Sequence, residues 1–305
     1  MLARVPLTDA DLPALLAARG VPGLVDVHTH FMPENVLAKV WAFFDAVGTA
    51  PGSTDAPWPI TYRFDAPTRL ATLRALGVVA FAPLAYPHRP GMAAWLNDWQ
   101  AGFAAATPDA VRTATFFAEP EAPQYVRAAL DGGARVVKVH VQVGGFDPRD
   151  PVLDAVWGLL ADAGVPVVTH CGDGPRRGTF TGLDVFEQVL RRHPRLVAVL
   201  AHAGLPDYDA ALRLVHQYTN VHLDTTMVGT AFTNAFAPLP PDWPARLAGV
   251  ADRVVLGSDF PNIPYPYAEQ VEAVLAWADA DDRLGDAFLR AVLHDTGARL
   301  LGLPS

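Results

Sequence analysis

Four stretches of the chain carry histidine or aspartate directly after an apolar run: Val27-His28-Thr29-His30, Val168-Thr169-His170, Leu200-Ala201-His202 and Leu256-Gly257-Ser258-Asp259. Residues two apart on a strand face the same side, so His28 and His30 can share one ion. If that ion is zinc, each ring nitrogen stands about 2.0–2.1 Å from it. Two ligands leave a site incomplete, and His170 and Asp259 are the candidates to finish it. Three imidazoles with one carboxylate suit a divalent cation, and imidazole nitrogens suit zinc, copper, iron or nickel alike. His202 reads equally as a ligand, as a catalytic base or as a group that orients one. A fifth stretch, Lys138-Val139-His140, adds an amine and another imidazole. Lys138 has three readings: a buried ion-pair partner, a substrate clamp, or, with its amine carboxylated, a bridge to a second metal. His140 is a substrate or second-metal candidate beside it.

The other polar residues read more plainly. Asp26 has the parity of the two opening histidines but lies deeper, which predicts a hydrogen bond to a ligand imidazole. The face of His222 and Asp224 is not set by their surroundings. His88, His193, His216 and His294 fall in loops or helices and read as solvated. Cys171 has the opposite strand parity to His170 and is not read as a nucleophile. As the only cysteine it excludes an intrachain disulfide and suits a reducing, cytoplasmic compartment.

The elements that must position these side chains follow a rhythm. Short apolar runs at 24–28, 78–82, 111–117, 135–141, 165–169, 196–200, 221–224 and 253–256 predict eight strands. Helical patterns lie between them at 92–106, 123–130, 151–163, 183–192, 207–218 and 244–250, with 267–280 and 283–301 after the last. Near-continuous apolar strands alternating with helices mean parallel strands covered on both faces. Eight such units make an α/β fold of the (β/α)₈ TIM-barrel type, and no Gly-rich fingerprint supports an open doubly wound sheet. The reading is one domain over 1–305, with an N-terminal extension at 1–23 that includes a short helix at 8–19. Helices open near Met32-Pro33-Glu34 and at 65–76, and a Pro- and Gly-rich inserted loop spans 48–62. Barrel chemistry sits at the C-terminal strand ends, where these histidines and Asp259 fall. A lone strand histidine is by default a hydrogen-bonded core residue; several at one edge argue for a site.

Composition limits the function classes. Hydrophobic residues at 51% against charged residues at 18% provide a large core and exclude disorder. No apolar run nears the roughly 20 residues of a membrane span, and the charged N-terminal residues do not read as a signal peptide. A net charge of −9 lacks the basic footprint that phosphate backbones require. The expected partner is a small-molecule substrate, with neither nucleic acid nor membrane. Aromatic segments around Trp41, Trp58 and Trp95–Trp99 pack beneath the loops or form a homodimer contact.

Taken in order, the His-x-His of strand 1, the single histidines after strands 5 and 6 and the aspartate after strand 8 resemble the amidohydrolase superfamily. Val167-Val168-Thr169-His170, Leu200-Ala201-His202-Ala203-Gly204 and Leu256-Gly257-Ser258-Asp259-Phe260-Pro261 are similar to its amidohydrolase 2 branch of lactonases, amidohydrolases and metal-dependent decarboxylases. The resemblance runs from about 24 to 301. It implies one divalent ion, zinc first and manganese second, on His28, His30, His170 and Asp259, with His202 beside it. A carboxylated Lys138 would instead bridge two metals, His170 and His202 serving the second.

The resulting expectation is a metal-dependent hydrolase of an amide, lactone or ester, with Asp259 and His202 as catalytic groups. Asp259 would take the proton of the attacking water, and His202 would stabilise the oxyanion. A metal-dependent decarboxylase of an unsaturated or aromatic acid is the alternative, and a metal-loaded barrel without turnover is the second. All three share one geometric requirement. An Asp259 carboxyl more than about 8 Å from both His28 and His30 could share no ion with them.

Overall fold

The Val-rich runs leave no polar face, and they become the inner wall of a closed barrel. In the computed structural model, residues 6–48 and 57–303 are described. Positions 49–56 of the expected inserted loop and the first five residues of the N-terminal extension lie outside them. The strands are β1 (Leu24–His30), β2 (Val78–Leu84), β3 (Thr113–Thr115), β4 (Val136–His140), β5 (Val167–His170), β6 (Ala198–Leu200), β7 (Val221–Asp224) and β8 (Val254–Val255). All paired neighbours are parallel, β1 with β2 and then β3 through β8 in order.

Single contacts complete the ring. The Val111 amide donates to the Phe81 carbonyl at 2.9 Å and joins β2 to the segment entering β3, while the Val27 amide donates to the Leu256 carbonyl at 3.0 Å and joins β8 to β1. Beyond that point Asp259 N donates to His28 O at 2.8 Å and His30 N to Phe260 O at 2.7 Å. The chain after Val255 thus abandons the regular ladder and binds the end of β1, which explains why β8 is shorter than the expected 253–256. β3 is likewise confined to three residues of the expected 111–117.

The barrel interior is layered. Val136, Val168 and Val199 pack together with Ala82 and Val255, and Leu301, directly after the last helix, joins them. Two residues further along their strands, and therefore on the same face, come Lys138 and His170. An apolar layer thus underlies a polar one. Outside the strands, Trp157, Phe186, Trp243 and Tyr267 are buried against the helices, each such burial being worth roughly 1.5–3 kcal/mol.

The helix Leu183–Arg192 forms as expected. The expected helix 283–301 is divided into Gly285–Arg290, a π turn at Ala291–Asp295, and Thr296–Leu300. Two four-residue helices not anticipated, Val141–Gly144 and Ala231–Asn234, follow β4 and β7 above the strand ends. Among the described residues no helix is long and apolar enough to cross a membrane.

Candidate metal centre

Three side chains from three strand ends place donor atoms within 4.8 Å of one another: His28, His202 and Asp259. His30 joins them through its Nε2, 2.8 Å from Asp259 Oδ1. His28 Nε2 is 3.5 Å from that same oxygen. The 8 Å requirement is met with a wide margin.

Backbone geometry is bent to achieve this. Asp259 and His202 have φ of 68° and 56°, a left-handed region that costs a non-glycine residue on the order of 1–3 kcal/mol. Gly257 permits the close approach. A Cβ there would stand 2.3 Å from Thr226 Oγ1 and 2.8 Å from His28 Cβ.

Hydrogen bonds assign the imidazole lone pairs. His30 Nδ1 lies 3.0 Å from the Leu84 carbonyl, which can only accept, so the ring proton is on Nδ1. His202 Nδ1 faces the Thr226 carbonyl at 3.2 Å in the same way. His28 Nδ1 donates to Asp224 Oδ2 at 2.8 Å. All three Nε2 atoms therefore direct lone pairs at the space beside Asp259.

A cation fits that space. An Nε2 lone pair and a carboxylate oxygen 2.8 Å apart repel unless a proton or a positive ion lies with them. Separations of 2.8 and 3.5 Å are what two ligands, each about 2.1 Å from one ion, present to each other. The carboxylate and neutral imidazoles form a donor set suited to zinc or manganese.

Electrostatics agree with neutral rings and an ionised acid. Burial, reinforced by Lys138, drives His28 well below its usual range. Burial likewise takes His202 down to about 4 and His170 to about 3. Burial opposes ionisation of Asp259, but a positive charge shared with His30 and His28 outweighs it and holds the carboxyl well below its usual range.

The remaining candidates occupy distinct places. Lys138 is fully buried beneath His28, its Nζ donating to His28 Nε2 at 2.8 Å. Burial lowers its pKa to about 8, against the pull of Asp259 and Asp224. His170 donates from Nε2 to the Gly174 carbonyl at 3.0 Å. Its ring lies 4.7 Å from His202 and stacks on His140 at 4.0 Å. His170 and His140 thus stand one ring outward from the convergent donors.

Asp26 does not hold an imidazole, contrary to the sequence expectation. Its carboxylate accepts from the His28 amide at 3.0 Å, Ser258 Oγ at 2.5 Å and the Tyr267 hydroxyl at 2.8 Å, tying β1 to the segment after β8. Burial raises its pKa to about 7. Asp224 does the expected work instead: it holds the His28 ring and accepts from the His202 amide at 2.7 Å. Its place at the end of β7, level with the histidines of neighbouring strands, was the available signal.

Above the donors opens a cavity of about 780 Å³, with His30, His140, His170, His202 and Asp259 among its lining. Its wall comes from Val36, Phe43 and Phe44 of the helix Glu34–Ala46, from Trp58, and from Phe232 and Phe236. Trp58 is fixed by its indole N–H to the Asn262 carbonyl at 2.7 Å.

This barrel has counterparts. The amidohydrolase family pattern matches residues 25–303, and the chain belongs to that family. No curated protein sequence matches it. Among solved structures, a TIM-barrel protein of Bordetella bronchiseptica superposes with a TM-score of 0.67 at 19% identity, covering 92% of this chain and 98% of that one. A 5-carboxyvanillate decarboxylase of Novosphingobium aromaticivorans, complexed with manganese and a nitrobenzoic acid, gives 0.61 at 16% identity, covering 93% and 97%. A probable 2-pyrone-4,6-dicarboxylic acid hydrolase of Acinetobacter baumannii gives 0.57 at 13% identity, covering 92% and 100%.

Proposed function

We propose that the protein is a metal-dependent hydrolase that cleaves an amide, lactone or ester of a small molecule. The carrying observation is the Asp259 carboxylate, 2.8 Å from His30 Nε2 and 3.5 Å from His28 Nε2, at the floor of a cavity. His28, His30, His202 and Asp259 would hold the ion, with His170 adjacent. A divalent cation there supplies Lewis acidity, polarising a carbonyl and lowering the pKa of water toward 7.

Asp259 accepts the proton of the attacking water as the water oxygen bonds to the carbonyl carbon. It returns that proton to the leaving nitrogen or oxygen as the bond to carbon breaks, giving a carboxylic acid with an amine or alcohol. His202 cannot donate to an oxyanion, because its ring proton is engaged by Thr226 O; it serves as a donor of its lone pair. Asp224 keeps both histidines in register throughout.

The second reading is decarboxylation of an unsaturated or aromatic acid, favoured by the aromatic wall of Trp58, Phe44 and Phe232 and by the chemistry named for one structural relative. The reactions separate on a mixed panel of lactones, esters and aryl carboxylates. Hydrolysis releases protons and no carbon dioxide, stops on chelation, and returns with zinc or manganese. Carbon dioxide release from the acids alone would replace the hydrolytic reading with the second.

A further inference from the structure

Large apolar side chains exposed singly are ordinary on a protein surface. Here three of them converge on one opening. Phe43 is 56% exposed, Phe236 45% and Val143 40%, and all three border the cavity above the metal centre. Phe43 and Val143 come from the helices Glu34–Ala46 and Val141–Gly144, and Phe236 from the turn that follows the helix Ala231–Asn234. Convergence of this kind marks a binding surface.

The convergent donors of the cavity lie at one end. Its floor carries His30, His202 and Asp259, whereas the path from floor to rim runs along Phe44, Trp58 and Phe232. A volume of about 780 Å³ lies within the range that encloses whole small molecules and far exceeds the needs of a carboxylate. Among the described wall residues Asp259 is the only carboxylate, while Lys39 and Arg176 bring positive charge. A cationic body would find no counter-charge along this path.

We infer that the substrate is an acyl compound with a non-cationic, apolar body several carbons long, its reactive carbonyl at the Asp259 floor and its body extending past Trp58 to Phe43 and Phe236. Under the hydrolytic reading this makes it a medium-chain or aryl-alkyl ester, lactone or N-acyl amide. That reading determines which bond is cut; the placement of the apolar body rests on the cavity.

The test is calorimetric binding of straight-chain carboxylic acids, from acetate to decanoate, to the metal-loaded protein. Each methylene buried on the wall is worth about 0.8 kcal/mol, so Kd is expected to fall roughly fourfold per carbon over the middle of the series. The Phe43→Ser, Phe236→Ser double variant, changed at two exposed positions, is expected to lose most of that gain for the longer acids. A Kd independent of chain length would overturn the inference, as would an undiminished slope in a folded double variant. Should the double variant not fold, the wild-type slope decides. A steep slope without hydrolysis of any ester or lactone would retain this inference and remove the hydrolytic reading. Hydrolysis with no chain-length dependence of binding would do the reverse.

Discussion

The Asp224 carboxylate accepts the Nδ1 proton of His28 at 2.8 Å through one oxygen, and with the other accepts the backbone amide of His202 at 2.7 Å. One buried acid thereby sets the ring orientation of a β1 histidine and the backbone of the histidine after β6. It also fixes the tautomer that turns His28 Nε2 toward Asp259. Carboxylates holding a ligand imidazole in this way typically contribute 10- to 100-fold in metal affinity. Asp224→Asn is therefore expected to weaken zinc binding by that factor in competition with a chromophoric chelator. An unchanged affinity would remove Asp224 from the site.

Lys138 Nζ and a metal ion compete for the same lone pair, since the amine donates to His28 Nε2 at 2.8 Å. Hydrogen bonds to charged groups are worth about 1.5–3 kcal/mol. Lys138→Met, close in volume and without the amine, is expected to bind zinc roughly 10- to 100-fold more tightly by the same assay. Weaker binding would mean that Lys138 is itself a ligand, as a carboxylated lysine would be.

Asp259→Asn keeps the size of the side chain and removes the proton acceptor. General base catalysis contributes typically 10²–10⁴-fold, and kcat for the best ester or lactone is expected to fall by that much with the thermal midpoint little changed. Loss of only a few fold would place the base elsewhere.

Gly257→Ala puts a methyl group against Thr226 Oγ1 and His28 Cβ. Overpacking of a filled interior costs about 1–3 kcal/mol, and here it also displaces a ring of the centre. Chemical denaturation is expected to show a loss of that size together with weakened metal binding. A stable variant with native affinity would show that the space is softer than its contacts imply.

Acidification should destabilise the metal-free protein. His202 and His170, at about 4 and 3 in the folded chain, return to about 6.5 on unfolding. Between those values the unfolded chain binds more protons, so stability falls as pH drops below about 6.5. His28 and His140 are lowered as well, both chiefly by burial. Asp26, raised to about 7, works in the opposite sense between about pH 4 and 7, as does Asp224, whose pKa burial also raises. The four imidazoles outnumber these two acids, and melts at pH 7 and pH 5 are expected to give the lower midpoint at pH 5. A higher midpoint at pH 5 would contradict the neutral-imidazole assignment.

Much of this arrangement was readable from residue order. The apolar runs have no polar face, which specifies parallel strands, and a closed parallel barrel brings His28, His30, His170, His202 and Asp259 to one rim whatever their separation in the chain. The order read His170 as the third imidazole ligand and His202 as its neighbour, and did not foresee that His170 Nε2 turns to the Gly174 carbonyl. Asp224 escaped because all four residues of β7 are buried, so alternation could not say which face the carboxylate takes. Asp26 was misassigned because a register irregularity in β1 between Asp26 and Thr29 breaks the two-residue alternation, and its carboxylate meets Ser258 and Tyr267 rather than a ring. The early end of β8 depends on Asp259 adopting φ of 68°, a conformation that tertiary contacts with β1 impose and local propensity opposes. The cavity wall joins Phe43 to Phe236 across nearly two hundred residues, a proximity no short-range pattern encodes.

The most direct test of the centre is an anomalous-scattering map of crystals grown with zinc or manganese, collected at the metal edge. One peak is expected within about 2.0–2.2 Å of Nε2 of His28, His30 and His202 and a carboxylate oxygen of Asp259, with Lys138 withdrawn from His28. An occupied centre that excludes Asp259, two peaks bridged by Lys138, or no peak at these residues under saturating metal would contradict it.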